Sequence, residues 1–107
     1  MDTPEPETIA LPPVPNPRQR QWLRGRAHAL RPVVLVGQGG VTDAVVRAVD
    51  VALTARELIK VRLHEPEDKH AAADALATRT GAALCGLVGH TVILYRAHPE
   101  HPVLVLP

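Results

Sequence analysis

The chain has 107 residues, 46% of them apolar and 21% charged, with one Cys, one Trp, one Tyr and no Phe. That length holds one domain with a tail, and the apolar share excludes disorder throughout. With only Trp22 and Tyr95, the chain cannot offer the aromatic array on which sequence-reading RNA modules stack bases. One cysteine, Cys85, excludes a disulfide framework and any multi-cysteine metal site.

The formal net charge of +1 is unevenly spread. Residues 1–17 carry Asp2, Glu5 and Glu7 and no basic residue, so residues 18–107 set all 12 Lys and Arg against the remaining eight carboxylates. Residues 18–36 hold Arg18, Arg20, Arg24, Arg26 and Arg31 and no carboxylate.

Six prolines between Pro4 and Pro17 predict a disordered or polyproline-like tail over residues 1–17. No apolar run approaches the length of a membrane span, and the first residues lack the basic and apolar regions of a signal peptide. A cytoplasmic location without membrane association is therefore expected.

Asn16-Pro17 predicts a helix start, running to about Leu30 before Pro32. At 100° per residue Trp22, Leu23, Ala27 and Leu30 share one face, and Arg20, Arg24 and Arg31 the opposite one. Val33–Val36 is a short apolar run, the pattern of a strand buried on both faces. Gly37-Gln38-Gly39-Gly40 follows, and Thr42-Asp43 opens a second helix with Val45, Val46, Val49, Ala52 and Leu53 at helical spacing to about residue 56. ELIKVRL (57–63) alternates Ile59, Val61 and Leu63 with Lys60 and Arg62, a half-exposed strand. Glu65–Asp68 is expected to open a third helix with acidic residues in its first turn, and Gly81 to cap its end. Two strands over 84–88 and 91–95 join through Gly89-His90, a Gly-X hairpin turn, and Val103–Leu106 forms a further extended patch. The order α-β-α-β-α-β-β predicts an α/β fold with a mixed sheet.

The glycine segment lies between a strand and a helix N-terminus, where backbone N–H groups and the helix dipole favour an anion. Position 42 is Thr42, so it is not a dinucleotide fingerprint, and no Gly-Lys-Ser/Thr follows, so it is not a P-loop. The remaining pattern is GxxG, used by KH modules to clamp nucleic-acid backbone. The unopposed arginines suit phosphate contacts, and Lys60, Arg62 and Arg96 either extend that basic surface or keep a sheet edge soluble. His98 and His101 are too isolated for a metal site, His28 is read as structural, and Cys85 as core. No Ser/His/Asp set or carboxylate dyad emerges, so neither an enzyme nor a cofactor is expected.

LRGRAHALRPVVLVGQGGVTDAV, ELIKVRL, TGA, GHTVILYR and the closing VLP together resemble the YhbY proteins, single-domain members of the CRM (chloroplast RNA splicing and ribosome maturation) RNA-binding family. The resemblance spans residues 18–107. It implies a four-stranded mixed sheet like that of the C-terminal domain of bacterial initiation factor three, with an added leading helix. It also implies a non-catalytic role in large-subunit ribosome assembly, binding precursor ribosomal RNA. RNA contacts are implied at Gly37, Gln38, Gly39 and Gly40, at Arg20 and Arg24 of the first helix, at Lys60 and Arg62, and at the closing Tyr95-Arg96; Arg31 completes the basic set. The family's hairpin turn carries Lys or Arg where this chain has His90. A protein-interaction module that docks on a ribosomal protein or assembly factor is the alternative. A monomer is expected.

Overall fold

Pro17 holds the preceding Asn16 in extended geometry, and Asn16 spends its side chain as an N-cap. Its Oδ1 accepts from Gln19 N at 2.8 Å, and Gln19 Oε1 accepts from Asn16 N at 3.0 Å. This reciprocal box, with Pro17 at the first helical position, starts α1 (Pro17–Ala27) as the spacing predicts. The structure, a computed structural model, describes residues 14–107, so most of the proline-rich tail lies outside the described residues. There follow β1 (Pro32–Val36), α2 (Asp43–Arg56), β2 (Leu58–Leu63), α3 (Lys69–Thr80), β3 (Ala83–Val88) and β4 (Thr91–Tyr95).

The sheet order is β1-β2-β4-β3, with β1 parallel to β2 and the other neighbours antiparallel. The α/β fold and mixed sheet are as expected. The side-chain period of two divides the sheet into two faces. One carries Val36, Ile59, Val61, Leu63, Val92 and Leu94, which pack with Val49 and Leu53 of α2 and Ala73 and Leu76 of α3. The other carries Leu58, Ile93, Tyr95 and Cys85 against Leu23 and Ala27 of α1. The molecule is thus three layers, with α1 alone on its side.

Three boundaries differ from the sequence reading. Helix α1 stops at Ala27, not Leu30, because its terminal carbonyls find other partners. Leu30 N donates to Ala27 O in a turn, and Lys60 Nζ donates to Leu30 O at 3.1 Å and His28 O at 3.4 Å. Strand β1 is not buried on both faces: it is an edge strand, and Leu35 is 62% exposed. Helix α3 begins after the acidic run, since Glu65 takes φ 46 and Asp68 is the N-cap, accepting from Ala71 N. Gly81 does cap its end, in the left-handed region at φ 69.

Glu57 is the residue the alternation misplaces. It sits between α2 and β2 at φ 68, 3% exposed, as a cap rather than a strand residue. Its carboxylate accepts from His98 N at 2.7 Å, Leu104 N at 2.8 Å and Val103 N at 3.0 Å. Burial pushes its pKa up, but these three N–H donors outweigh burial and hold it below the ordinary value near 4.5. The final segment is thereby strapped beneath α1, with Leu104 and Leu106 on the α1 cluster and Pro107 O accepting from Gln19 Nε2.

Leu53, fully buried in the larger core, should cost about 2–5 kcal/mol when replaced by alanine, read by urea unfolding. Glu57→Gln should cost about 2–3 kcal/mol for its charge-assisted bonds. Since the folded pKa is depressed, this stabilisation is full above the ordinary carboxylate pKa and disappears as pH falls through the folded value. Stability measured from pH 6 downward should therefore fall less steeply in the Gln variant than in the native chain.

Candidate nucleic-acid interface

The segment after β1 turns sharply because glycine permits it. Gly40 N donates to Gly37 O at 3.0 Å and Thr42 N to Gly40 O at 3.0 Å, with Gly40 at φ 75. Thr42 then caps α2, its hydroxyl accepting from Val45 N at 3.2 Å. A Cβ added at Gly37 or Gly40 would meet nothing within 4 Å. These glycines are therefore not packed against protein; they leave the backbone bare toward solvent. Among the described residues neither Gln38 nor Gly39 N–H has a protein acceptor, so the apex offers donors at a helix N-terminus. His64 N donates to Val36 O at 2.9 Å and ties the loop's base to the end of β2.

Two walls of opposite character flank the loop. On the α2/α3 side, Glu65, Glu67 and Asp68 line the same groove as Gly37–Gly40. On the α1 side the register sets Leu35 beside Arg62, Arg62 opposite Thr91 and Thr91 opposite Val88. This row crosses the sheet beyond the reach of α1 and stays open: Arg62 is exposed and Val88 is 64% exposed. The first wall is acidic and the second carries the exposed Arg62.

The sequence-predicted basic residues separate into free and occupied groups. Arg62 projects from the open row as the alternation predicts. Arg20 and Arg24, four apart in α1, share a helix face, but Arg31 lies off the helix and does not join them. Arg20 Nη1 donates to Pro15 O at 2.8 Å. Arg24 lies across β3, its Nη1 donating to Cys85 O at 2.7 Å and its stem resting on Gly86, where an added Cβ would come within 2.7 Å of Arg24 Cδ. Arg31 lies beyond the end of α1, at the opposite end of β1 from the glycine loop. Lys60 uses its ammonium on the His28 and Leu30 carbonyls.

Arg96 is a structural clamp rather than a surface contact. Its Nη1 donates to Asp50 Oδ1 and Thr80 O, both at 2.6 Å, and its Nη2 to Asp50 O and Thr54 Oγ1, both at 3.0 Å. Its side chain is only 18% exposed, and it locks the ends of α2 and α3 to β4. Tyr95 is buried in the α1 cluster, where burial raises its pKa. Burial likewise pushes the Cys85 thiol up to about 11, which fits core packing and not nucleophilic chemistry.

Sequence reasoning missed Glu65, Glu67 and Asp68 as a wall of the loop, having placed them inside α3. It also missed Gly86, although a glycine within a strand pattern signals a bulge or a close approach. Both occur there: the register slips between Leu84 and Gly86, and Arg24 packs on the bare Cα.

Residues 16–96 match the sequence profile of the CRS1 / YhbY (CRM) domain. The chain belongs to that family. It is 39% identical over 92 residues to the "Probable RNA-binding protein YqeI" of Bacillus subtilis, covering 84% of this chain and 96% of that one. It is 39% identical over 85 residues to a protein of Haemophilus influenzae named "RNA-binding protein", covering 78% and 86%. The solution structure of a hypothetical Staphylococcus aureus protein proposed to bind RNA superposes with a TM-score of 0.75 at 31% identity, covering 86% of this chain and 98% of that one. The CRM match takes in α1, the glycine loop and the whole sheet, and stops before the strap.

Arg96→Ala should lower stability by about 2 kcal/mol, because it breaks four bonds from one charged donor group and leaves Thr80 O without a donor. Thermal unfolding checks this, and the loss should be much larger than for Arg62→Ala, whose guanidinium faces solvent.

Proposed function

We propose that this CRM protein is a non-catalytic RNA-binding factor of the cytoplasm that grips RNA by its phosphate backbone and assists assembly of the large ribosomal subunit. The observation that supports it best is the partition of charge about the bare glycine loop. Among the described residues, the carboxylates are Asp43, Asp50 and Asp74 on α2 and α3, Glu65, Glu67 and Asp68 between β2 and α3, buried Glu57, and Glu100 in the strap. Helix α1 and the open sheet row carry none. An anionic polymer laid over the loop meets backbone donors and then Arg62, with Arg20 and Arg24 farther along the same face.

Backbone recognition also follows from what is missing at this face. The chain has two aromatic residues, of which Tyr95 is buried, so a stacking platform across the sheet is not available. Shape and charge remain, which suits a folded ribosomal RNA precursor. The relatives named as RNA-binding proteins support the same partner. Leu35 and Val88, exposed apolar residues in the open row, favour a second reading in which a ribosomal protein also docks there.

Affinity for structured RNA should fall steeply with salt, and Arg62→Ala should reduce the slope of log K against log salt by about 0.7–0.9, the loss of one phosphate contact. Gly37→Asp with Gly40→Asp should weaken binding at least about tenfold, through two carboxylates at the apex, while circular dichroism stays native. Neither side chain meets a steric obstacle, and although φ 75 at position 40 strains any side chain, aspartate is among the residues that adopt positive φ most readily. Native affinity in the double variant would remove the loop from the interface. Recovery of a ribosomal protein, with no RNA bound at low salt, would favour the docking reading.

A further inference from the structure

At the end of β1 remote from the glycine loop lies an open cleft of about 960 Å³ between the end of α1, the start of β1, the end of α2 and the strap. Three guanidinium side chains line it, Arg26, Arg31 and Arg56, over apolar walls that include Leu30, Val33 and Leu104. No carboxylate lines it, and among the described residues none of the three arginines is in an ion pair. Glu57, adjacent in sequence to Arg56, has its carboxylate committed to the strap N–H groups. Arg26 and Arg56 sit in the last turns of α1 and α2, where the helix dipole favours cations, but no carboxylate of the lining neutralises the three like charges.

Arg26 carries a second feature. Its guanidinium lies over the Trp22 ring, 5.2 Å from the centroid. That contact holds the planar group in place and leaves its other face available, and an arginine plane is a surface on which an unpaired base stacks. The cleft is of the size that accepts a small organic ligand. Its chemistry is that of one nucleotide, with a flat ring for the Arg26 plane and the apolar wall, and anionic oxygens for Arg31 and Arg56.

We propose that this cleft is a subsite for a single unpaired nucleotide of the bound RNA, stacked on Arg26 and held through its phosphate by Arg31 and Arg56. The proposal rests on the RNA-binding reading above and adds a second contact. Five strand residues at about 3.3 Å each separate cleft and loop by roughly 15 Å. A helical stem crossing the loop can therefore place a bulged nucleotide in the cleft. The chain would then prefer a bulged stem to a continuous one, a selectivity that the glycine loop alone does not provide.

The test uses the full chain and two probes, an RNA hairpin with one bulged adenosine and the same hairpin fully paired, titrated by fluorescence anisotropy at one salt concentration. The native chain should bind the bulged hairpin about tenfold more tightly, the low end of what stacking one base contributes. Arg26→Lys keeps the charge and removes the plane, and should cancel most of that preference while leaving affinity for the paired hairpin unchanged. Arg31→Ala with Arg56→Ala should also cancel it. Arg18→Ala, a charge loss outside the cleft, should preserve the ratio, as should the Gly37→Asp and Gly40→Asp pair, which weakens both hairpins together. Equal binding of both hairpins by the native chain, or an intact preference in Arg26→Lys, overturns the subsite while leaving RNA binding in place. Failure of both hairpins to bind at low salt overturns the subsite and the RNA-binding reading together. An acidic peptide that occupies the native cleft and excludes the bulged hairpin from it reassigns the cleft to a protein partner.

Discussion

A buried carboxylate is among the most costly groups a small domain can hold, unless it is supplied with enough donors to replace its water. Glu57 is supplied with three backbone N–H groups from a segment that runs past the end of the sheet. The arrangement also stabilises a left-handed backbone at a non-glycine residue, a conformation that costs roughly 1–3 kcal/mol. Much of the α1 side follows from it. The left-handed step ends α2 and reverses the chain into β2, and Glu57 O accepts from Arg96 N, beside which Arg96 clamps α2 and α3. The strap it gathers supplies Leu104 and Leu106 to the cluster beneath α1. Helix α1 alone would cover that cluster with little more than Leu23 and Ala27, so the seating of the basic helix depends on a carboxylate two elements away.

The layer arrangement then decides where an anion can go. Two helices cover one face of the sheet, and together with the segment before α3 they carry six of the eight carboxylates among the described residues. One short helix covers the other face in part, leaving the row Leu35, Arg62, Thr91 and Val88 open beside the glycine loop. The loop stands on the boundary between these regions. Its donors alone would accept an anion from either side, and the position of Glu65, Glu67 and Asp68 makes the approach one-sided. Asp43, which would oppose an anion at the first turn of α2, is paired with Arg79, whose Nη1 also holds Val41 O.

Element order, the glycine loop and the period-two face of β2 were legible in the sequence because each depends on local chemistry: a cap, a proline, an alternation. What was not legible depends on neighbours. VVLV reads as a buried strand and ELIKVRL as a half-exposed one, yet β2 is central and β1 is at the edge. Apolar content cannot distinguish a strand covered by helices from one whose outer row faces a partner. Glu57 appeared as the first residue of a strand because nothing local announces that a distant segment will return to its carboxylate. The acidic run before α3 appeared as a first turn because Glu65-Pro66 gives no signal of the left-handed step at Glu65 that delays the helix to Lys69.

The arginines show why composition overstates a basic surface. A guanidinium has five donors and no acceptor, so the fold employs it wherever carbonyls are left over at an irregularity. Arg24 is drawn to the Cys85 carbonyl at the β3 bulge, Arg20 to Pro15 ahead of the helix cap, Arg79 to the Val41 carbonyl after the glycine turn, and Arg96 to the Thr80 carbonyl at the end of α3. Each is at a place where the ladder or helix pattern breaks. Those without such a break nearby, Arg18, Arg26, Arg31, Arg47, Arg56 and Arg62, make no hydrogen bond or ion pair among the described residues. Of these, Arg26, Arg31, Arg56 and Arg62 lie in two groups, one at each end of the edge pair β1 and β2, so the surface proposed for an anion runs first along that pair, with the Arg20 and Arg24 face of α1 beside it.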